Sequence, residues 1–143
     1  AALPLESLAC LEGIVVRTAE PAIPPAVFHG LDLRGKAVLV ETGWSRRWRT
    51  DAYFEGHPFL TRHAARALAD GGAVFVGIDS YNLDDISDPE RPAHSILLAA
   101  GIPICEHMCA LERLPARGFR FSAAPVKVRG MGSFPVRAFA VVE

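Results

Sequence analysis

The chain has 143 residues, half of them apolar and 22% charged, with a formal net charge of −1. A chain of that length can bury roughly two thirds of the surface its unfolded form exposes, which predicts one compact domain over residues 1–143. Near-zero charge supplies no field to gather nucleic acid or an anionic membrane, so the expected partner is a small neutral or weakly charged molecule.

No uninterrupted apolar run reaches the roughly 18 residues of a membrane-spanning helix, and the first residues lack the basic start and apolar block of a signal peptide. Cys10, Cys105 and Cys109 form an odd set, too sparse for a disulfide framework, which points to a reducing compartment and a cytoplasmic protein. Ala1-Ala-Leu-Pro-Leu-Glu-Ser-Leu-Ala-Cys-Leu11 opens abruptly in apolar sequence. It reads either as the middle of a domain or as a short N-terminal helix.

Gly13-Ile-Val-Val-Arg17 is β-branched and predicts a strand, and Glu20-Pro-Ala-Ile-Pro-Pro25 is expected to break regular structure. Lys36 to Thr42 predicts a strand buried on both faces, because its interior is an unbroken apolar run. Residues 43–58 follow as a long loop rich in aromatics and arginine, and loops of that length in small domains are commonly functional. Thr61 is an N-cap for a helix through Ala64, Ala65, Leu68 and Ala69, stopped by Gly71-Gly72 and followed by a strand over residues 73–78. Residues 79–92 are a polar, turn-rich loop at that strand's C-terminal end, where α/β proteins often seat ligands. His94 to Ala100 fits about two helical turns, Gly101 breaks them, and Ile102 to Glu106 reads as a strand. A short helix over residues 110–114 and strands over 119–124, 126–128 and 134–142 complete the pattern. Alternation in the last segment suits a sheet with one solvated face. The expected fold class is α/β, with a mixed, partly barrel-like sheet and peripheral helices.

Four groups of side chains carry possible chemistry. His94 and Glu106 suit a metal pair, since about 10 Å of helical rise is offset by about 13 Å of strand return after Gly101. Their bland alternative is a satisfied helix-start histidine and a solvated strand-end glutamate. Cys105, His107 and Cys109 alternate on one face of an extended segment and invite a zinc reading with His94, at a spacing that fits no common zinc knuckle. Since Glu106 would face away from Cys105 in a strand, the two metal readings largely exclude one another. Arg46-Arg-Trp-Arg49 stands alone as a basic-aromatic cluster and reads as a solvated loop or pocket lip. Asp79, Asp84, Asp85 and Asp88 lack the offsets of a calcium loop and read as turn residues. Serine-nucleophile elbow, phosphate loop and dinucleotide fingerprint are all missing from the sequence.

Six stretches in order resemble one family: Val38-Leu-Val-Glu-Thr-Gly-Trp44, Trp48-Arg-Thr-Asp-Ala-Tyr-Phe-Glu-Gly-His-Pro58, Val76-Gly-Ile-Asp-Ser80, Arg91-Pro-Ala-His94, Gly101-Ile-Pro-Ile-Cys-Glu-His107 and Phe134-Pro-Val-Arg137. Together they resemble the metal-dependent cyclase family that includes bacterial kynurenine formamidase, with its swivelling β/β/α fold. The resemblance implies a hydrolase in which a divalent ion, zinc or manganese, activates water for attack on an amide or lactone of a small molecule. It also implies a homodimer, and metal-ligand roles for His94 and Glu106. No role is implied for His107, Cys105 or Cys109. The family's His-x-Gly-Thr-His-x-Asp-x-Pro-x-His motif, which supplies the other ligands and the proposed catalytic histidine, does not occur in the sequence. The expectation is therefore a C-terminal part of a longer cyclase-family domain with an incomplete metal site and no identifiable catalytic residue. A non-catalytic binding or assembly module on the same scaffold is the alternative.

Overall fold

The structure, a computed structural model, describes residues 3–142. Its centre is Lys36–Glu41 (β3), whose Ala37, Val38, Leu39 and Val40 are fully buried. An unbroken apolar run of this kind needs cover on both faces and parallel neighbours, and β3 has both. It pairs in parallel with Leu11–Arg17 (β1) on one side and Phe75–Ile78 (β5) on the other. Beyond β5 lies the two-residue parallel strand Ile104–Cys105 (β6). Beyond β1, Phe119–Ser122 (β7) and Phe139–Val142 (β8) continue the sheet antiparallel, giving the order β6-β5-β3-β1-β7-β8. This mixed six-stranded sheet curls into a half-barrel. Because β1, β3, β5 and β6 run the same way, residues following Arg17, Glu41, Ile78 and Cys105 gather along one edge.

Side-chain alternation along the strands divides the core in two. Val38, Val40, Val76 and Ile78 face the helices Arg62–Asp70 (α1) and Pro92–Ala99 (α2), packing with Ala64, Ala65, Leu68 and Leu97. Ala37, Leu39 and Phe75 face the other way, toward Phe119, Phe121, Met108 and Leu111. Thr61 caps α1 as expected, its Oγ1 accepting from the Ala64 N–H at 3.2 Å, and Gly72 at φ +79° ends the helix with the left-handed residue such termini favour. None of the described helices is long and apolar enough to cross a membrane.

Several elements depart from expectation. Between its prolines, Ala22–Ile23 (β2) forms a short parallel pair with Phe59–Leu60 (β4). The driving force is Ile23, wholly buried, whose carbonyl accepts from both the N–H and the Oγ1 of Thr61. The 43–58 loop contains 3-10 turns at Trp44–Arg47 and Asp51–Phe54. Helix α2 starts at Pro92, two residues before His94, since proline suits the first helical position. The expected helix at 110–114 is a single 3-10 turn, Leu111–Arg113. Val126 and Val128 are exposed and belong to no strand. The last strand is confined to β8, because Pro135 has no N–H to give a ladder. Instead of one solvated face, β8 leaves Phe139, Val141 and Val142 all more than half exposed.

At the β1–β7 pair, Gly13 lies opposite Phe119, whose buried ring covers the glycine. A Cβ added there would come within 2.0 Å of that ring. Gly13→Ala is expected to lower unfolding free energy by about 1–3 kcal/mol through overpacking, read as a shift of the urea midpoint with an unchanged slope.

Candidate functional site

Asp84 sits at the start of the site. Its carboxylate is almost fully buried, and it accepts from the backbone N–H groups of Ala93 (2.5 Å) and His94 (3.0 Å) at the first turn of α2. Oδ2 also takes a 2.6 Å hydrogen bond from the His94 ring at Nδ1. One carboxylate thus satisfies helix-start donors, complements the positive end of the helix and fixes a ring. With the Nδ1 proton committed to Asp84, the neutral His94 ring carries its lone pair on Nε2.

Glu106 follows β6 and returns to that ring. Its Oε1 accepts from the Leu83 N–H at 2.7 Å and stands 3.5 Å from His94 Nε2. The chain reversal around Gly101 (φ +73°) therefore brings together the two residues that the sequence reading paired. Both are partly accessible, at 17% and 21% of the side chain. Arg91, in the left-handed region at φ +45°, places one guanidinium nitrogen 3.3 Å from Nδ1 and 3.1 Å from Nε2. A point equally close to both ring nitrogens lies over the ring face, so Arg91 stacks on His94 and leaves the in-plane lone pair of Nε2 open.

The donor set suits two positions of a divalent ion's sphere: an imidazole nitrogen and a carboxylate oxygen, with the other imidazole nitrogen tied to a buried carboxylate. Among the described residues no group of three or more His, Cys, Asp or Glu side chains converges as a metal site. The alternative zinc set is accordingly not assembled. His94 is committed to Asp84, Cys109 is exposed, and burial, with the Glu106 charge, pushes the Cys105 thiol up to about 11.

Two features add to the sequence reading, the first a buried aspartate expected to be a turn residue and the second the internal packing of the long loop. Asp79, buried at the end of β5, accepts from the Thr42 N–H (2.8 Å), the Thr42 Oγ1 (2.6 Å) and the Gly43 N–H (2.8 Å), tying β3's exit to β5. Only Asp85 and Asp88 are the turn residues expected, accepting from the N–H groups of Ser87 and Glu90. The second feature is the arginine-rich loop. Arg47 packs over the Trp44 ring at 4.2 Å, and the Trp44 Nε1–H donates to the Tyr53 carbonyl at 2.9 Å. The loop so folded places Trp48, Tyr53 and Phe54 against Tyr81 and His107, with ring centroids 5.1–6.2 Å apart. Beside Glu106 and His107 opens a cleft of about 580 Å³ whose other walls include Leu111, Phe121, Val136 and Arg137.

Asp84→Ala strands three donors at once and is expected to cost about 2 kcal/mol of stability, measured by urea unfolding. A second expectation concerns alkaline pH. Burial, with the charges of Asp79 and Glu106, pushes the Tyr53 phenol up from 10.0 to about 12, so the folded protein holds this proton more tightly than the unfolded chain. Stability from Tyr53 is complete below pH 10.0 and is lost as pH rises toward about 12. Tyr53→Phe should remove that part of the alkaline slope in a series of urea midpoints.

Residues 15–85 match the Cyclase family model. The chain is 28% identical over 127 residues to the isatin hydrolase of Roseibium aggregatum, covering 80% of this chain and 48% of that protein. It is 31% identical over 71 residues to the kynurenine formamidase of Paracidovorax citrulli, covering 50% and 32% respectively. A solved structure described as a potential metal-dependent hydrolase with cyclase activity superposes with a TM-score of 0.82 at 28% identity, over 96% of this chain and 69% of that one. The chain thus spans half or less of these two curated relatives. Family pattern and half-barrel fold agree, and the chain is similar to the cyclase family, kynurenine formamidases among its relatives.

Proposed function

We propose that this chain contributes His94 and Glu106 to a divalent-metal site, zinc or manganese, that hydrolyses an amide or lactone of a small molecule. The observation carrying the proposal is the approach of His94 Nε2 to Glu106 Oε1, 3.5 Å, with Nδ1 held by buried Asp84. The names of the relatives support the reaction class, since they act on isatin, a cyclic amide, and on a kynurenine formamide.

An ion bound there would supply Lewis acidity, polarising a carbonyl and making water more acidic. The chain's own residues prepare the place. Asp84 keeps the Nε2 lone pair available and aimed, and the Leu83 N–H holds Glu106 by one oxygen and leaves the other without a hydrogen bond among the described residues. The exposed Trp48 and Phe54 of the 44–59 segment offer an apolar wall against which a planar substrate packs and water is excluded. Overall, water adds its hydroxyl to the carbonyl carbon and its proton to the leaving nitrogen or oxygen. The remaining ligands come from outside residues 3–142.

The test uses the full-length protein, with metal measured by plasma mass spectrometry and turnover measured on isatin and N-formylkynurenine. His94→Ala and Glu106→Gln should each lose the metal and reduce hydrolysis about a thousandfold, and Asp84→Asn should weaken metal binding about 10–100-fold. Full metal content and full turnover in both ligand variants would sink the assignment. A wild type without metal or turnover favours the assembly-module reading.

A further inference from the structure

His107 follows directly after Glu106 and has no part in the metal reading, yet its surroundings are unusually well ordered. Its backbone is in the left-handed region at φ +57°, which a non-glycine residue holds only when its neighbours over-determine it. Here the His107 N–H donates to the Ser80 carbonyl at 3.0 Å and the Met108 N–H to the Ile78 carbonyl at 3.1 Å. Met108 is locked in turn, because its sulfur rests where a Cβ on Gly77 would be.

The ring is fixed from the other side. Tyr53, 1% exposed, has its hydroxyl 2.9 Å from His107 Nδ1, and Trp48, Tyr53 and Tyr81 all lie within 6.2 Å of the imidazole, centroid to centroid. A phenol pushed up to about 12 keeps its proton at all ordinary pH values, and among the described residues the acceptor that hydroxyl meets is Nδ1. The Tyr53 O–H therefore donates to Nδ1, and the proton of the neutral His107 ring belongs on Nε2. The side chain is otherwise exposed, and no other hydrogen-bond partner meets it among the described residues. It lines the same cleft as Glu106.

We propose that His107 is a catalytic hydrogen-bond donor, its Nε2–H engaging the carbonyl oxygen of the amide or lactone substrate, and that Tyr53 is a positioning residue that fixes the donating tautomer. This rests on the hydrolase reading above. The hydrogen bond strengthens as negative charge builds on that oxygen, and His107 keeps its proton throughout.

The tautomer is read directly by long-range proton–nitrogen spectra of the full-length protein with labelled histidine, about two pH units above the usual imidazole range so that the rings are neutral. His107 is assigned by the signal lost in His107→Gln. The expected result is a pure Nε2–H ring in wild type and a mixture in Tyr53→Phe, with a lower kcat in that variant. Turnover of isatin and N-formylkynurenine should fall roughly 100-fold in kcat for His107→Leu with KM changed little, while His107→Gln, which keeps an N–H donor at the same reach, stays within about tenfold. Circular dichroism checks that the variants are folded. An Nδ1–H ring in wild type overturns the positioning role of Tyr53, and wild-type kcat in folded His107→Leu overturns the donor role. If the metal-loaded wild type hydrolyses neither substrate, the hydrolase reading fails and takes the donor role with it, whereas hydrolysis with an indifferent His107→Leu sinks the donor role alone.

Discussion

The buried carboxylate of Asp84 is the interaction on which the candidate site depends. A charge this deep is tolerated only when donors surround it, and here α2 supplies two backbone N–H groups and the His94 ring a third. Local folding and side-chain aim are therefore one event. Helix α2 cannot start at Pro92 in this way without Asp84 reaching its first turn, and once it does, the ring is held with Nε2 toward Glu106. Position and tautomer of the imidazole are both properties of the fold, in place before any ligand arrives.

The second constraint is the direction of the sheet. Four parallel strands deliver their C-terminal residues to one edge, which places the pair Glu106 and His107 near the pair Asp79 and Ser80 although the two pairs are distant in sequence. The antiparallel strands β7 and β8 extend the opposite side and carry none of these groups. Their effect is on packing, because Phe119 and Phe121 close the second core beneath Leu39 and Phe75.

Much of this was legible in the sequence. The buried run of β3, the Thr61 cap and the reversal between His94 and Glu106 all follow from periodicity, capping chemistry and the rise per residue. What was hidden depends on distant partners. Asp84 and Asp79 look like ordinary turn residues until α2 and β3 come to them, at separations of 10 and 37 positions. The Tyr53–His107 bond spans 54 positions, and nothing local in either segment announces it. Val126 and Val128 show the converse, since apolar alternation makes a strand only where a neighbour offers a ladder.

The Asp79 clamp has a further consequence for binding. Its three hydrogen bonds fasten the beginning of the 43–58 segment to β5, and the Tyr53 hydroxyl fastens the middle of the segment to the residue after Glu106. A loop tethered at two points has already surrendered most of its conformational entropy during folding. A ligand resting on its aromatic side chains then has little ordering left to impose, so contact area there converts to affinity with a smaller entropic loss than a free loop of equal length would exact.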